Sequence, residues 1–304
     1  MRSFISLVLI ILIFAASFSC NFNKNQNSQD SFDIPDSVGI VETSLLQKEA
    51  MAEVVSNLAS PVEVAAMLSH LGIAFQGDLL SSTDKIKSLN TNFHRALALG
   101  ALGADLGYLN IYMKNNKALD YLSSINYLAD ELNVGQFFDF NALKRLSENK
   151  HDLDSLMYQS VHSFNEMNSY LEESHRGNIS ALVIAGLWLE GFYLATQISM
   201  EQNNATLNES IGEQKIIIED LFSILENYET DTAFQNFIRE LTQLKEEFAE
   251  VEISYEAGDP EMVEDENGML LVIQNEKSIV DISDEQLKKI VLKTEEIRNH
   301  FINL

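Results

Sequence analysis

The chain has 304 residues and a strongly acidic balance, with 46 Asp and Glu against 20 Lys and Arg and a formal net charge of −26. A field of this sign repels phosphate backbones and anionic headgroups, which argues against nucleic-acid binding and against broad membrane contact through the domain surface. It is compatible with a cationic partner, and also with a surface whose acidity only maintains solubility.

The N-terminus has the layout of a secretory signal. Met1-Arg2-Ser3 supplies a short positive start, and an apolar run follows from Phe4 to Phe14. The apolar stretch that ends at Ser19 has sixteen residues, fewer than the roughly 20 that span a bilayer as a helix. Residues 1–19 are therefore predicted to be a cleaved signal peptide.

Small residues lead up to the only cysteine of the chain, in the order Ser17, Phe18, Ser19, Cys20. The segment resembles the type II, lipobox-like signal peptide of bacterial lipoproteins, in which the cysteine is lipidated. The resemblance implies lipidation of Cys20 and a cell-envelope protein held to a membrane by its N-terminal lipid. A single cysteine cannot form an internal disulfide, which agrees with that role. An ordinary cleaved signal with an incidental cysteine is the alternative.

The residue after the cysteine bears on which membrane is involved. Asn21 is not the Asp that retains enterobacterial lipoproteins at the inner membrane, so the resemblance favours the outer membrane and leaves the periplasmic or surface face open. The polar run from Asn21 to Asp30 has little to bury. Residues 20–40 are therefore predicted to be the lipidated cysteine and a flexible tether.

The composition after the tether predicts an all-α fold, a multi-helix bundle of about 8–10 helices over residues 41–255. Prolines are few, and apolar residues recur at spacings of three and four. A short helix is predicted to begin at Ser60-Pro61-Val62-Glu63, which has the residue types of a helix start, and to end at Gly72. Later helices are predicted at about 84–113, 115–133, 139–149, 152–173, 178–202, 210–228 and 231–254.

Two of the predicted helices are apolar on nearly every side, Ala96–Tyr112 and Ala181–Ile198. Such helices lie either in the core of a large domain or in lipid. Asp105 and Glu190 interrupt the two stretches, which favours the core. His94-Arg95 precedes the first helix and His175-Arg176 the second, so a duplicated helical hairpin is one interpretation, and composition shared by chance is the other.

The two interrupting carboxylates are the most informative candidates for chemistry. An acid buried on an apolar helix needs a hydrogen-bond donor, a cation or a proton, and perturbed acids are common at functional sites. A structural hydrogen bond is the alternative, with Arg95, Arg176 or a tyrosine hydroxyl as the predicted partner. The residues of the candidate pocket are Asp105, Glu190, His94, His175, Tyr108 and Trp188.

No complete sequence motif for a metal or a cofactor is present. Two of the six histidines, His151 and His175, have a Glu three residues before them, but a two-iron site needs further glutamates from other helices, and His-Glu-x-x-His is absent. The chain has no Gly-x-Ser-x-Gly and no phosphate-binding glycine loop. No metal and no cofactor is therefore predicted, and an enzymatic function has no motif to support it.

Residues 256–304 are predicted to pack on the same domain. Ten acids crowd into the 21 residues from Glu246 to Glu266, which predicts a solvated, mobile loop. Met269–Ile273 and Ser278–Ile282 flank Gln274-Asn275-Glu276-Lys277 and predict a small C-terminal β-hairpin. Ser283-Asp284-Glu285-Gln286 predicts a capping box that opens a final helix. The predicted inner stripe of that helix is Leu287, Ile290, Val291, Thr294, Ile297 and Phe301.

Three fragments carry a second resemblance: Gly103–Tyr108, Ala185–Gly191 and Ile282–Leu287. They look similar to a group of uncharacterised helical lipoproteins of Gram-negative bacteria, which implies a shared fold and cellular address and carries no activity. Two hypotheses of function follow. The first is a noncatalytic envelope lipoprotein that binds a protein, such as a cationic partner, or a small ligand. The second is an enzyme or small-ligand carrier that uses Asp105 and Glu190 in an interhelical pocket.

Overall fold

A computed structural model describes residues 67–147, 153–202, 204–264 and 270–302. All of them belong to one compact unit, Leu45–Leu304. The helices that follow the helical segment at 67–70 are α1 (Asn92–Ile111), α2 (Asn115–Glu131), α3 (Phe140–Ser147), α4 (Leu153–Glu173), α5 (Gly177–Gln202), α6 (Ala205–Leu225), α7 (Thr232–Glu247) and α8 (Asp284–Phe301). A hairpin of β1 (Glu252–Glu264) and β2 (Leu270–Asp281) separates α7 from α8. The predicted all-α bundle with a small β-hairpin is confirmed.

The central helix of the bundle is α5, which contacts α1, α4, α6 and α8. Of the helices described, it alone is long and apolar enough to cross a membrane, and 94% of its most apolar window is buried inside the protein. Full burial of one large aliphatic or aromatic side chain stabilises a fold by about 1.5–3 kcal/mol. The length and apolarity of α5 are therefore accounted for by its place in the core.

Two glycines bring the backbones of α1 and α5 into contact. A Cβ atom at Gly100 would lie 2.0 Å from the carbonyl oxygen of Val183, and one at Gly186 would lie 2.1 Å from that of Leu97. A real side chain cannot stand that close to a backbone atom, so both positions need glycine for this close approach. The crossing sets the distance between the helices that carry Asp105 and Glu190.

The C-terminal helix α8 agrees closely with its prediction. Its capping box is present, with the Ser283 hydroxyl accepting from the Gln286 backbone N–H and the Gln286 side chain accepting from the Ser283 N–H. All six residues of the predicted inner stripe are buried. The helix contacts α5, so the amphipathic face packs against the centre of the bundle.

The hairpin was predicted at the wrong residues. Residues 270–273 and 278–281, from the two short runs that were expected to be separate strands, both lie within β2, and all of β1 lies within the acidic stretch expected to be a loop. The strands pair antiparallel from Glu252 opposite Asp281 to Glu264 opposite Leu270, with a bulge between Ala257 and Pro260. A bulge accommodates the proline, which has no N–H to give to a ladder.

The predicted helix ends also needed correction at three places, the first of which is α6, predicted from about 210 and found to begin at Ala205. Residues 84–91 precede α1 as a 3-10 turn and a loop, and Thr91 caps α1 by accepting from the His94 backbone N–H. The chain after Glu247 leaves the helix and enters β1 at Glu252. The predictions on residues 1–66, which include Cys20, the tether and the Ser60–Glu63 helix start, lie outside the described residues.

Candidate functional site

The two carboxylates singled out in the sequence lie in the core of the bundle. Asp105 is on α1 and Glu190 is on α5, and each has 0% of its surface exposed. Their predicted burial is confirmed. A carboxylate at such a position must be neutralised or hydrogen-bonded, because an unpaired charge in a low-dielectric core is strongly unfavourable.

The cation that meets Glu190 is Arg298, from the last turn of α8. Its Nε donates to Glu190 Oε2 at 2.9 Å, and an Nη donates to Glu190 Oε1 at 2.7 Å. The pair is therefore bidentate, the geometry in which a guanidinium holds a carboxylate most firmly. The arginine side chain is 12% exposed and the glutamate is fully buried.

The predicted partners of the carboxylates were wrong as far as the arginines are concerned. Arg95 pairs with Glu131 at 3.0 Å, and Arg176 donates to the carbonyl oxygen of Leu132 at 2.6 Å. A sequence signal for Arg298 does exist: it stands four residues after Thr294, at the spacing of the inner face of α8. A cation at that spacing faces the core and needs a buried anion.

Ser81 links the two carboxylates, and the sequence analysis did not identify it. Its backbone N–H donates to Asp105 Oδ2 at 3.0 Å, and its hydroxyl donates to Glu190 Oε1 at 3.0 Å. The hydroxyl oxygen also accepts from Arg298 at 2.8 Å. Its carbonyl oxygen accepts from the hydroxyl of Tyr121, on α2, at 2.5 Å. One loop residue therefore ties together side chains from four helices.

An aromatic ring covers the guanidinium. The ring centroid of Tyr193 lies 4.6 Å from Arg298 Cζ, a cation–π distance, and Tyr193 is on α5, three residues after Glu190. Burial by itself would lower the pKa of Arg298, but the hydrogen bond and the charge of Glu190 outweigh burial and raise this pKa. Arg298 is therefore a permanent cation in the core.

Asp105 is the least satisfied member of the group. Its Oδ1 is buried and has no hydrogen-bond partner among the described residues. Burial, and then the charge of Glu190, raises the pKa of Asp105 well above its usual value, while the Ser81 N–H and Arg298 act in the opposite direction. The group formed by Asp105, Glu190, Arg298, Ser81 and Tyr121 is called the buried charge cluster below.

The other candidate residues make their contacts elsewhere. The Tyr108 hydroxyl accepts from the Gln76 backbone N–H at 3.1 Å, and Trp188 Nε1 donates to Gln214 Oε1 at 2.9 Å. His94 is exposed, with its Nδ1 2.7 Å from the Thr91 hydroxyl. His175 is exposed in the turn before α5, at a positive φ of 56°. The structure thus gathers the two carboxylates and places these four residues in other surroundings.

A cavity of about 540 Å³ lies at the foot of the hairpin. Its lining includes Lys215, Ile279 and two carboxylates that face each other across the strands, Glu252 and Asp281. Lys215 Nζ donates to the carbonyl oxygens of Ala249 at 3.3 Å and Val251 at 2.6 Å. The lysine therefore holds the chain at the start of β1. Within the described ranges, no three His, Cys, Asp or Glu side chains are grouped to hold a metal ion.

Comparisons with known proteins found no matching family model, no matching curated protein and no matching solved structure.

Proposed function

We propose that this chain is a lipid-anchored protein of the bacterial cell envelope whose helical domain is a noncatalytic binding module. The observation that carries the noncatalytic part is the state of Glu190, both of whose oxygens are held by Arg298. A carboxylate whose acceptor positions are filled by an internal cation is unavailable as a base or nucleophile. The buried charge cluster then has a structural role, and binding belongs to the surface.

The anchor is supported by the order of the N-terminal residues, a short positive start, an apolar run and small residues before Cys20. The proposed site is the outer membrane. A single lipid signal holds a chain to a membrane much less firmly than a spanning helix does, and diacylation strengthens the hold. The acidic domain surface is then presented to other envelope proteins.

Replacing the cysteine tests the anchor. Cys20→Ser should shift the chain from the membrane fraction to the soluble fraction and abolish its labelling by radioactive palmitate. Ser28→Ala, in the polar run after Cys20, is the matched control and should leave both unchanged. If the Cys20→Ser chain associates with membranes as strongly as the chain that keeps Cys20, the lipid assignment is contradicted.

A cationic partner is tested by zero-length carbodiimide crosslinking in intact cells, which joins a carboxylate to an amine in direct contact. The net charge of −26 predicts discrete heavier species that are lost when salt is raised before crosslinking. Retention of the same species at high salt would contradict an electrostatic contact, and their complete absence at low salt would contradict a cationic partner.

One observation favours a second candidate, a small-ligand carrier or enzyme: Asp105 Oδ1 is buried without a partner among the described residues. A ligand that gives a hydrogen bond to this oxygen would raise the melting temperature, by mass action, since it binds the folded chain only. Asp105→Asn should remove that rise. If no hydrogen-bond-donating ligand raises the melting temperature, this candidate loses its support.

A further inference from the structure

The buried charge cluster contains two carboxylates and one guanidinium. With all three ionised, the core would hold one uncompensated negative charge. All three guanidinium nitrogens of Arg298 are engaged, by Glu190, by the Ser81 hydroxyl and, at the helix surface, by Asn299 Oδ1 at 3.2 Å. None of these bonds reaches Asp105. Arg298 therefore compensates the charge of Glu190 and leaves Asp105 without a bonded cation.

We propose that Asp105 is a buried proton-binding site, and that loss of its proton loosens the attachment of α8 and of the Ser81 loop to the central helices. This inference is independent of the lipid anchor and of the proposed binding module. A protonated Asp105 makes the cluster neutral, because the single cation then faces a single anion. The Asp105 oxygen that accepts from Ser81 keeps that bond in either state.

The surroundings of Asp105 explain why the proton is held. Glu190 and Tyr193 face it from α5, Tyr121 from α2 and Arg298 from α8, and Ser81 reaches it from the loop before α1. Arg298 and Ser81, the latter through its backbone N–H and its side chain, favour the ionised form. Burial and the negative charge of Glu190 oppose it more strongly, so the pKa of Asp105 is raised.

Ionisation would strain the contacts that all pass through Ser81 and Arg298. A second negative charge beside Glu190 would compete with it for the one guanidinium. The Ser81 hydroxyl is bonded to both Glu190 and Arg298, so it would be disturbed as well. Arg298 is the residue through which α8 binds Glu190 and Ser81. The segments expected to respond are therefore α8 and the loop around Ser81.

The direction of the pH effect follows from linkage. A carboxyl whose pKa is raised by folding stabilises the fold fully at pH values below its unfolded pKa, and this contribution is lost as pH rises through the folded pKa. The unfolding equilibrium constant should therefore increase by up to about tenfold per pH unit within that interval, the slope of one proton. Asp105→Asn, a neutral side chain of the same shape, should not show this component.

The first experiment is infrared spectroscopy of the full chain. A buried protonated carboxylic acid gives a carbonyl stretching band separate from the carboxylate bands. We expect this band at a pH where ordinary carboxyls are ionised, its loss in Asp105→Asn, and its persistence in Asp120→Asn, the same change at an exposed position of α2. A spectrum without the band, or a band that survives in Asp105→Asn, would overturn the proposal.

The second experiment is hydrogen exchange of the full chain, with the unmodified chain and Asp105→Asn compared at the same pH so that intrinsic exchange rates cancel. At acid pH the peptides that cover Ser81 and α8 should be equally protected in both. At alkaline pH these peptides should lose protection in the chain with Asp105 before they lose it in Asp105→Asn. If Asp105→Asn fails to fold, the chain with Asp105 is measured alone as pH is raised. The proposal is overturned if α8 loses its protection at the same pH as α7 or at a higher pH.

Discussion

Arg298, in the last turn of α8, holds both oxygens of Glu190, in the middle of α5, although the two residues are 108 positions apart. The contact joins the C-terminal helix to the most buried helix of the bundle. A bidentate pair between two such elements fixes their relative position better than apolar contact alone, because guanidinium and carboxylate groups match in only a few orientations.

Removal of Arg298 should strongly destabilise the fold. Arg298→Ala leaves Glu190 buried without its cation, a change that costs about 3–5 kcal/mol in other buried pairs. The free energy of unfolding from denaturant titration measures it. Arg298→Lys, which keeps the charge and loses the planar fork, should fall between Arg298→Ala and the unmodified chain. Equal stability of all three would show that the pair contributes little.

The crossing of α1 and α5 predicts opposite outcomes for two glycines of the same helix. Gly100→Ala should destabilise by about 3 kcal/mol, the upper end of overpacking, because its Cβ would meet the backbone oxygen of Val183. Gly103→Ala is the control: its Cβ would lie 3.4 Å from the end of the Leu187 side chain, an ordinary contact. Better helix propensity should then stabilise by up to about 1 kcal/mol. Thermal unfolding that ranks the two variants the other way would contradict the crossing.

Tyr121 is expected to matter through its hydroxyl rather than its ring. Tyr121→Phe leaves the Ser81 carbonyl without this donor and should cost about 1–3 kcal/mol, measured by denaturant unfolding. Tyr158→Phe, at a side chain that is 73% exposed on α4, should change stability little. Equal effects of the two substitutions would contradict a bonded role for the Tyr121 hydroxyl.

The start of α8 depends on its capping box. Ser283→Ala should lower the free energy of unfolding by about 1 kcal/mol, since the Gln286 N–H then loses its side-chain acceptor. Ser283→Asp keeps an acceptor at the cap and should stay close to the unmodified chain. A loss of the same size with aspartate would mean that the hydroxyl acts in some other way.

The acidic stretch shows where local sequence signals were incomplete. Its density of carboxylates indicated a loop, yet Ile253, Tyr255 and Ala257 alternate with Glu252, Ser254 and Glu256, the two-residue period of a strand. Ile253 packs against the core, and Val280 opposite it reaches Gly212 of α6. Charge masked the alternation, because a strand can carry solvated acids on one face. The other face is in contact with the core at the half-buried Ile253, while Tyr255 and Ala257 are exposed.

The candidate site was predictable in part. Burial of Asp105 and Glu190 followed from their apolar neighbours on the same helix. Their grouping with Ser81 and Arg298 did not, since it brings together residues from a loop and from three helices that are distant in the chain. Tyr108 and Trp188 share helices with the carboxylates and make their polar contacts with Gln76 and Gln214.

The sequence by itself determined the helical class of the fold, the two central helices and the buried stripe of α8, because periodicity and caps act within a few residues of each other. Only the tertiary structure decided which strands pair, which arginine meets Glu190 and which carboxylate is left without a cation. These outcomes depend on how whole helices pack, and side chains become partners when the burial of their apolar faces brings them together.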